Sequence, residues 1–171
     1  MFLGIFILYF INNLTAQLPA ELQLPELVSI NRMPMRSSAF AYESDAMAKQ
    51  YDRTKSANFL SLNGTWKFNW VQDPDQRPKD FFKTDFDDSH WDNFRIPASW
   101  ETSGYGMPIY VNQPYDFAGH NLRYSKMNPP YDIPPHNDPV GSYRRKMILP
   151  ANFDGRQIFL HVGNAKSCLF V

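Results

Sequence analysis

At 171 residues the chain is long enough for one domain of ordinary size. Its 17 basic and 17 acidic side chains cancel, which argues against an electrostatic partner such as nucleic acid. The one cysteine, Cys168, excludes an internal disulfide and a Cys-based metal cluster, and is expected to be a small buried apolar side chain.

Residues 1–14 (MFLGIFILYFINNL) are strongly apolar and run into Leu14-Thr15-Ala16-Gln17. That pattern predicts a signal peptide over residues 1–16, cleaved after Ala16, with export to the periplasm or outside the cell. The apolar stretch is too short to span a bilayer comfortably, so no membrane insertion is expected. No Lys or Arg precedes it, which leaves a mis-assigned start as the alternative.

Residues 17–55 are expected to form an N-terminal arm, with a short helix over residues 43–50 (ESDAMAKQ). Beyond Leu60 the pattern changes to period two. Trp66, Phe68 and Trp70 fall on one face of a strand, Lys67 and Asn69 on the other, and Asn63-Gly64 supplies the turn before it. Residues 73–78 form a turn cluster and 81–92 a loop with a short helical turn; 94–96 form a strand stopped by Pro97. A long irregular region follows, carrying Pro114, Pro129, Pro130, Pro134, Pro135 and Pro139; loops of that length inside a domain tend to be functional. Strands are expected again at 141–149 and 157–162, with a turn at 152–155. Residues 155–171 (GRQIFLHVGNAKSCLFV) read as strand-like chain without a closing turn, a strand that expects partners. Short strands, stiff loops and almost no amphipathic helix point to an all-β sandwich.

The sequence has no Gly-rich phosphate loop, no metal-spaced His/Cys set and no G-x-S-x-G elbow. His90, His120, His136 and His161 are scattered and read as surface or loop residues. Asp85, Asp87, Asp88, Asp92, Glu101 and Asp116 are available carboxylates. A glycosidase needs two carboxyls facing each other across a sugar, but nothing in this spacing demonstrates such a pair, and solvated turn residues is the reading for most of them. The stretch 91–115 (WDNFRIPASWETSGYGMPIYVNQPY) is richer: Phe94, Trp100, Tyr105 and Tyr110 follow Trp91 and lead to Asn112 and Gln113. Aromatic faces stack on sugar C–H faces, and amides both donate to and accept from hydroxyls. On chemistry alone, a sugar contact at Asn112 and a plain aromatic core with a turn asparagine are equally good readings.

Several motifs in order resemble the large β-galactosidases of glycoside hydrolase family two: Ile30-Asn31-Arg32-Met33-Pro34, residues 61–68 (SLNGTWKF), Ile96-Pro97-Ala98-Ser99-Trp100, Pro108-Ile109-Tyr110-Val111-Asn112, the run from Asn128 to Arg145, and Gly163-Asn164-Ala165-Lys166-Ser167. The resemblance runs from about Leu27 to the last residue. It implies an all-β, jelly-roll (galactose-binding-like) sandwich over residues 56–171, incomplete at the C-terminus, at the head of a multidomain retaining hydrolase. It implies that Asn112 bonds sugar hydroxyls in the galactose subsite, shaped by Val111 and Gln113, with a β-galactoside as substrate. The catalytic glutamates of the family lie in a later barrel, so no catalytic or metal-ligating residue is expected in this chain. The family implies magnesium and sodium, and a homo-oligomer, for the full enzyme. With the resemblance, Trp66, Phe68, Trp91 and Trp100 are expected in the core, and Arg144 and Arg145 as structural ion-pair formers of which at most one faces inward. A stand-alone carbohydrate-binding module and a truncated piece without independent function are the alternatives. A β-glucuronidase fits less well, because the Pro-rich loop and the Tyr-x-Asn motif favour the galactosidase branch.

Overall fold

The computed structural model describes residues 26–34, 37, 39–107, 138–166 and 168–171. The described residues fall into two compact units, one from Met1–Met33 and Gly64–Arg144, the other from Pro34–Asn63 and Arg145–Val171.

The first unit is built on an open antiparallel sheet of three strands: β1 (Gly64–Val71), β2 (Asp92–Ile96) and β3 (Val140–Arg144), in the order β2-β1-β3. Such a sheet fits a partial all-β sandwich. The central strand is the one with the strongest period-two pattern, as expected of an antiparallel strand whose two faces meet different surroundings. Gly64 opens it with φ 124°, a conformation that a side chain resists. Proline, which has no N–H to donate, follows directly on β2 at Pro97. The pairing is staggered. Residues Gly64 to Phe68 of β1 face Ile96 to Asp92 of β2, whereas Lys67 to Val71 face Arg144 to Val140 of β3. Lys67 and Phe68 alone are paired on both sides.

This register sorts the side chains onto two faces. On one, Phe68 is fully buried, with ring centroids 4.7 Å from Phe94 of β2 and 4.7 Å from Tyr143 of β3. On the other lie Lys67, the buried Ser142 and Arg144, covered by the loop between β1 and β2. In that loop Trp91 is buried, with Phe81 and Phe86 at 5.8 and 5.6 Å, and Lys67 Nζ donates to the Trp91 carbonyl at 3.1 Å. Of the four aromatic residues expected in the core, Phe68 and Trp91 are buried, while Trp66 and Trp100 keep part of their surface exposed.

The second unit is held by polar contacts more than by an apolar core. Its helix, α1, spans Asp45–Ala48. Ser44 caps it by accepting from the Met47 N–H, and Tyr51 in the left-handed region at φ 53° closes the turn that follows, so the helix is shorter than the expected 43–50. Asn152 Nδ2 donates to the Ala57 carbonyl (2.8 Å), Arg156 Nη1 to Asn58 Oδ1 (2.6 Å) and Arg145 Nη1 to the Leu62 carbonyl (2.8 Å). Arg145 thus clasps backbone carbonyls at Leu62 and Asn63.

Glu43 is the centre of this network. Its two carboxylate oxygens accept from the buried Ser56 hydroxyl at 2.9 and 3.0 Å, and one accepts from the Asn58 N–H at 3.2 Å. The bond from its own backbone N–H, then the Ser56 hydroxyl and the Ala57 and Asn58 amides, hold its carboxyl below its ordinary value of 4.5. A depressed pKa in the folded state means that the stabilisation is present above 4.5 and is lost as pH falls through the lower folded value. Protection of the Asn58 amide against exchange is therefore expected to fall on acidification below pH 4.5. Glu43→Gln should remove that pH dependence; an Asn58 amide equally protected in acid would refute the assignment.

Of two further expected strands, one is shorter than expected and the other does not form among the described residues. The one expected over 141–149 starts at Val140 and stops at Arg144, and residues 145–149 are exposed and outside any ladder. Residues 157–162 carry no strand pairing, and Ile158, Phe159, Leu160 and Val162 are all about half exposed (46%, 53%, 53% and 47%). Alternation specifies a strand only where a neighbouring ladder accepts its hydrogen bonds and a core takes one face. Among the described residues neither is supplied there. Cys168 is likewise exposed, contrary to the buried position expected of it.

Candidate functional site

Trp100 and Tyr105, which follow β2, lie against the Phe68 face of the sheet. After Pro97 the chain makes a short 3-10 turn at Glu101–Ser103, ended by Gly104 at φ 94°. Trp100 Cζ3 and Cε3 press on β3 at Gly141, and the indole stacks on Phe68 with centroids 6.3 Å apart. The Trp100 carbonyl accepts from both Ser103 N and Tyr105 N at 3.0 Å, doubling the chain back so that the Tyr105 ring meets the edge of Phe68 at 4.9 Å.

Tyr105 Oη donates to Asp92 Oδ2 at 2.8 Å. That bond first, then burial and the Asp92 charge, push its phenol up from the ordinary value of 10.0, so the hydroxyl stays a donor at neutral pH. Gly106, at φ 71°, lies flat on the Trp70 indole: a Cβ there would sit 3.1 Å from Trp70 Cζ2. The Trp70 Nε1–H is buried and has no acceptor among the described residues. Tyr143 on the same face is also pushed up, by burial and then by the Glu101 charge.

The rings of the 91–107 stretch are therefore largely committed to the interior. Trp91 and Phe94 are buried and Tyr105 packs on Phe68 and Phe94, which decides for core at these positions between the two sequence readings. The described carboxylates also have structural roles: Asp88 pairs with Arg144, Asp92 accepts from Tyr105, Glu101 accepts from Ser99 Oγ, and Asp87 accepts from Ser89 N at 2.9 Å. Asp85 is exposed. The Ser89 bond chiefly lowers the Asp87 pKa. No group of three His, Cys, Asp or Glu among the described residues is arranged to hold a metal ion, and no described helix is long and apolar enough to cross a membrane. Val111, Asn112, Gln113, Tyr110, Asp116, His120 and His136 lie outside the described residues, as do the signal-peptide segment and the Pro-rich region from Pro114 to Pro135.

Sequence reasoning missed Tyr105 and Asp92 as partners. Thirteen positions separate them, and neither falls in a recognisable motif with the other. The arrangement holds the chain at Tyr105 and Gly106.

Comparison with known proteins bears on the same region. The sequence model of glycosyl hydrolases family 2, sugar binding domain, matches residues 59–170. The chain belongs to that family. Among curated relatives it is 34% identical over 143 residues to the β-galactosidase of Halalkalibacterium halodurans, an alignment covering 84% of this chain and 13% of that protein. It is 38% identical over 125 residues to the β-galactosidase of Photobacterium profundum, covering 73% and 11%, and 30% identical over 154 residues to the β-galactosidase large subunit of Leuconostoc lactis, covering 86% and 24%. The chain thus spans between about a tenth and a quarter of the length of these relatives.

Proposed function

We propose that this chain is the sugar-binding, amino-terminal part of a β-galactosidase, a jelly-roll domain over residues 56–171 preceded by an arm and an export signal. The observation that carries the reading is the family match over 59–170 on a chain whose curated relatives are β-galactosidases. The full-length protein then hydrolyses terminal β-galactosides with retention, through a glycosyl-enzyme formed on one glutamate while a second serves as acid and base. Both glutamates belong to a barrel beyond the segment described here. The part played by this domain is recognition. The Asn112 amide, which can donate and accept at once, bonds galactose hydroxyls, with Val111 and Gln113 shaping the pocket around it.

The test uses the full-length protein with a chromogenic β-galactoside. Hydrolysis is expected from the wild type and none from the purified 171-residue chain. Asn112→Ala is expected to lower kcat/KM about ten- to a hundredfold with folding intact, the loss of one or two hydroxyl hydrogen bonds. Unchanged kinetics in Asn112→Ala would remove the contact, and turnover by the 171-residue chain itself would overturn the domain assignment. An inactive full-length protein that still binds galactosides would make it a binding module instead.

A further inference from the structure

We propose that Asn63-Gly64 is a self-modifying site: the asparagine deamidates through a succinimide, and Arg145 promotes the step from the peptide carbonyl between the two residues. Three observations meet there. Asn63 is exposed, and its hydrogen bonds run through its backbone: the N–H donates to Ser61 Oγ at 3.3 Å, and the carbonyl accepts from Arg145 Nη1 at 3.1 Å. Its side-chain amide thus meets solvent, where asparagine is among the less durable side chains. The next residue has no Cβ to shield its nitrogen, and at φ 124° Gly64 holds a conformation that few other residues would adopt. Arg145 Nη1 also holds the Leu62 carbonyl at 2.8 Å, which keeps the guanidinium on this stretch.

The reacting nitrogen belongs to the peptide unit whose oxygen Arg145 holds. Once the Gly64 N–H has lost its proton to hydroxide, the negative charge is shared with the Asn63 carbonyl oxygen. A cationic donor on that oxygen favours the charged form. The Gly64 nitrogen then attacks Asn63 Cγ. The N–Cγ bond forms, the Cγ–Nδ2 bond breaks, and ammonia leaves with a proton taken from water. One water opens the ring at either carbonyl, to aspartate or to isoaspartate. Nothing is oxidised or reduced: amide and water become carboxylate and ammonium. Isoaspartate routes the main chain through the former side chain and adds one carbon directly before Gly64, which opens β1 and pairs with Ile96. The lesion therefore falls on the first rung of the central strand.

The experiment ages the native full-length protein at body temperature, at mildly alkaline and at mildly acidic pH. Proteolytic peptides spanning Asn63 are followed by mass spectrometry and by enzymatic methylation of isoaspartate. Asn63 is expected to change from amide to acid, faster at the alkaline pH, with isoaspartate among the products. Asn63→Gln should stay intact over the same period, because a six-membered imide closes far more slowly. Arg145→Gln, which keeps a neutral donor, should slow the reaction about threefold, a modest factor because the arginine is exposed. Arg145→Lys keeps the charge and should stay nearer the wild-type rate. An unmodified Asn63 in the native protein, beside ready deamidation of the same protein in urea, would overturn the proposal, because the fold would then shield the site. A rate in Arg145→Gln equal to or above that of the wild type would overturn the part given to Arg145. If Arg145→Gln also lowers the melting temperature, Arg145→Lys decides: a rate above wild type there means that the clasp restrains the site, and the promoting role falls.

Discussion

Arg144→Ala is expected to destabilise the domain by about 3 kcal/mol, the scale found when one partner of a part-buried, multiply bonded charge is removed. Arg144 ends β3, and its side chain is only 10% exposed. Its Nε donates to the Phe81 carbonyl at 2.9 Å, its Nη2 to the Lys83 and Thr84 carbonyls at 2.8 and 3.3 Å, and its Nη1 pairs with Asp88. The guanidinium also lies 5.9 Å from the centre of the Phe86 ring. One planar group with five fixed donors thus ties the whole β1–β2 loop to the sheet. Lysine has a single charged nitrogen and cannot reach three carbonyls and a carboxylate together, so Arg144→Lys is expected to recover only part of the loss. Urea unfolding of the full-length protein measures the total. Amide exchange over residues 81–91 localises it, and wild-type protection there in Arg144→Ala would show that the clasp is not what holds the loop.

Gly141→Ala is expected to cost about 2–3 kcal/mol by overpacking alone. Gly141 sits on β3 opposite Trp70, and its backbone is not in the left-handed region, so strain plays no part. The obstacle is steric. An added Cβ would overlap Trp100 Cζ3 and come within 2.7 Å of Trp100 Cε3 and 2.9 Å of Phe68 Cε2. Phe68 is fully buried and touches four rings, so it cannot yield without moving Phe94, Tyr105 and Tyr143 as well. Trp100 is the ring that can be trimmed. The double variant Gly141→Ala/Trp100→Leu is therefore expected to fall short of the sum of its parts, and strict additivity in unfolding free energy would refute the close approach.

Strands β1 and β2 are legible in the sequence because their signals are local. Period two over Trp66, Phe68 and Trp70 and the stop at Pro97 each need only a few neighbouring residues. Residues 157–162 carry an equally clear alternation without becoming a strand, because pairing depends on a partner that the alternation cannot specify. The same division runs through the side chains. That Arg144 would make an ion pair is readable from an arginine on a strand. That it would also gather the carbonyls of Phe81, Lys83 and Thr84 is not, since these lie 63, 61 and 60 positions away. The motif around Asn112 is visible in the sequence, whereas the hydrogen bond between Tyr105 and Asp92 emerges only when the chain doubles back at Trp100.

The staggered pairing of β1 has a consequence for the order of assembly. The nearest β1–β2 pair, Phe68 with Asp92, closes a loop of 24 residues (92 − 68), and the nearest β1–β3 pair, Val71 with Val140, one of 69 (140 − 71). By loop-closure entropy the second costs about 1 kcal/mol more than the first. The β1–β2 pair is therefore expected to zip first, leaving half of β1 open as a template. β3 then arrives as a late fastener that closes both faces in one step, Tyr143 filling the aromatic layer and Arg144 locking the loop behind it.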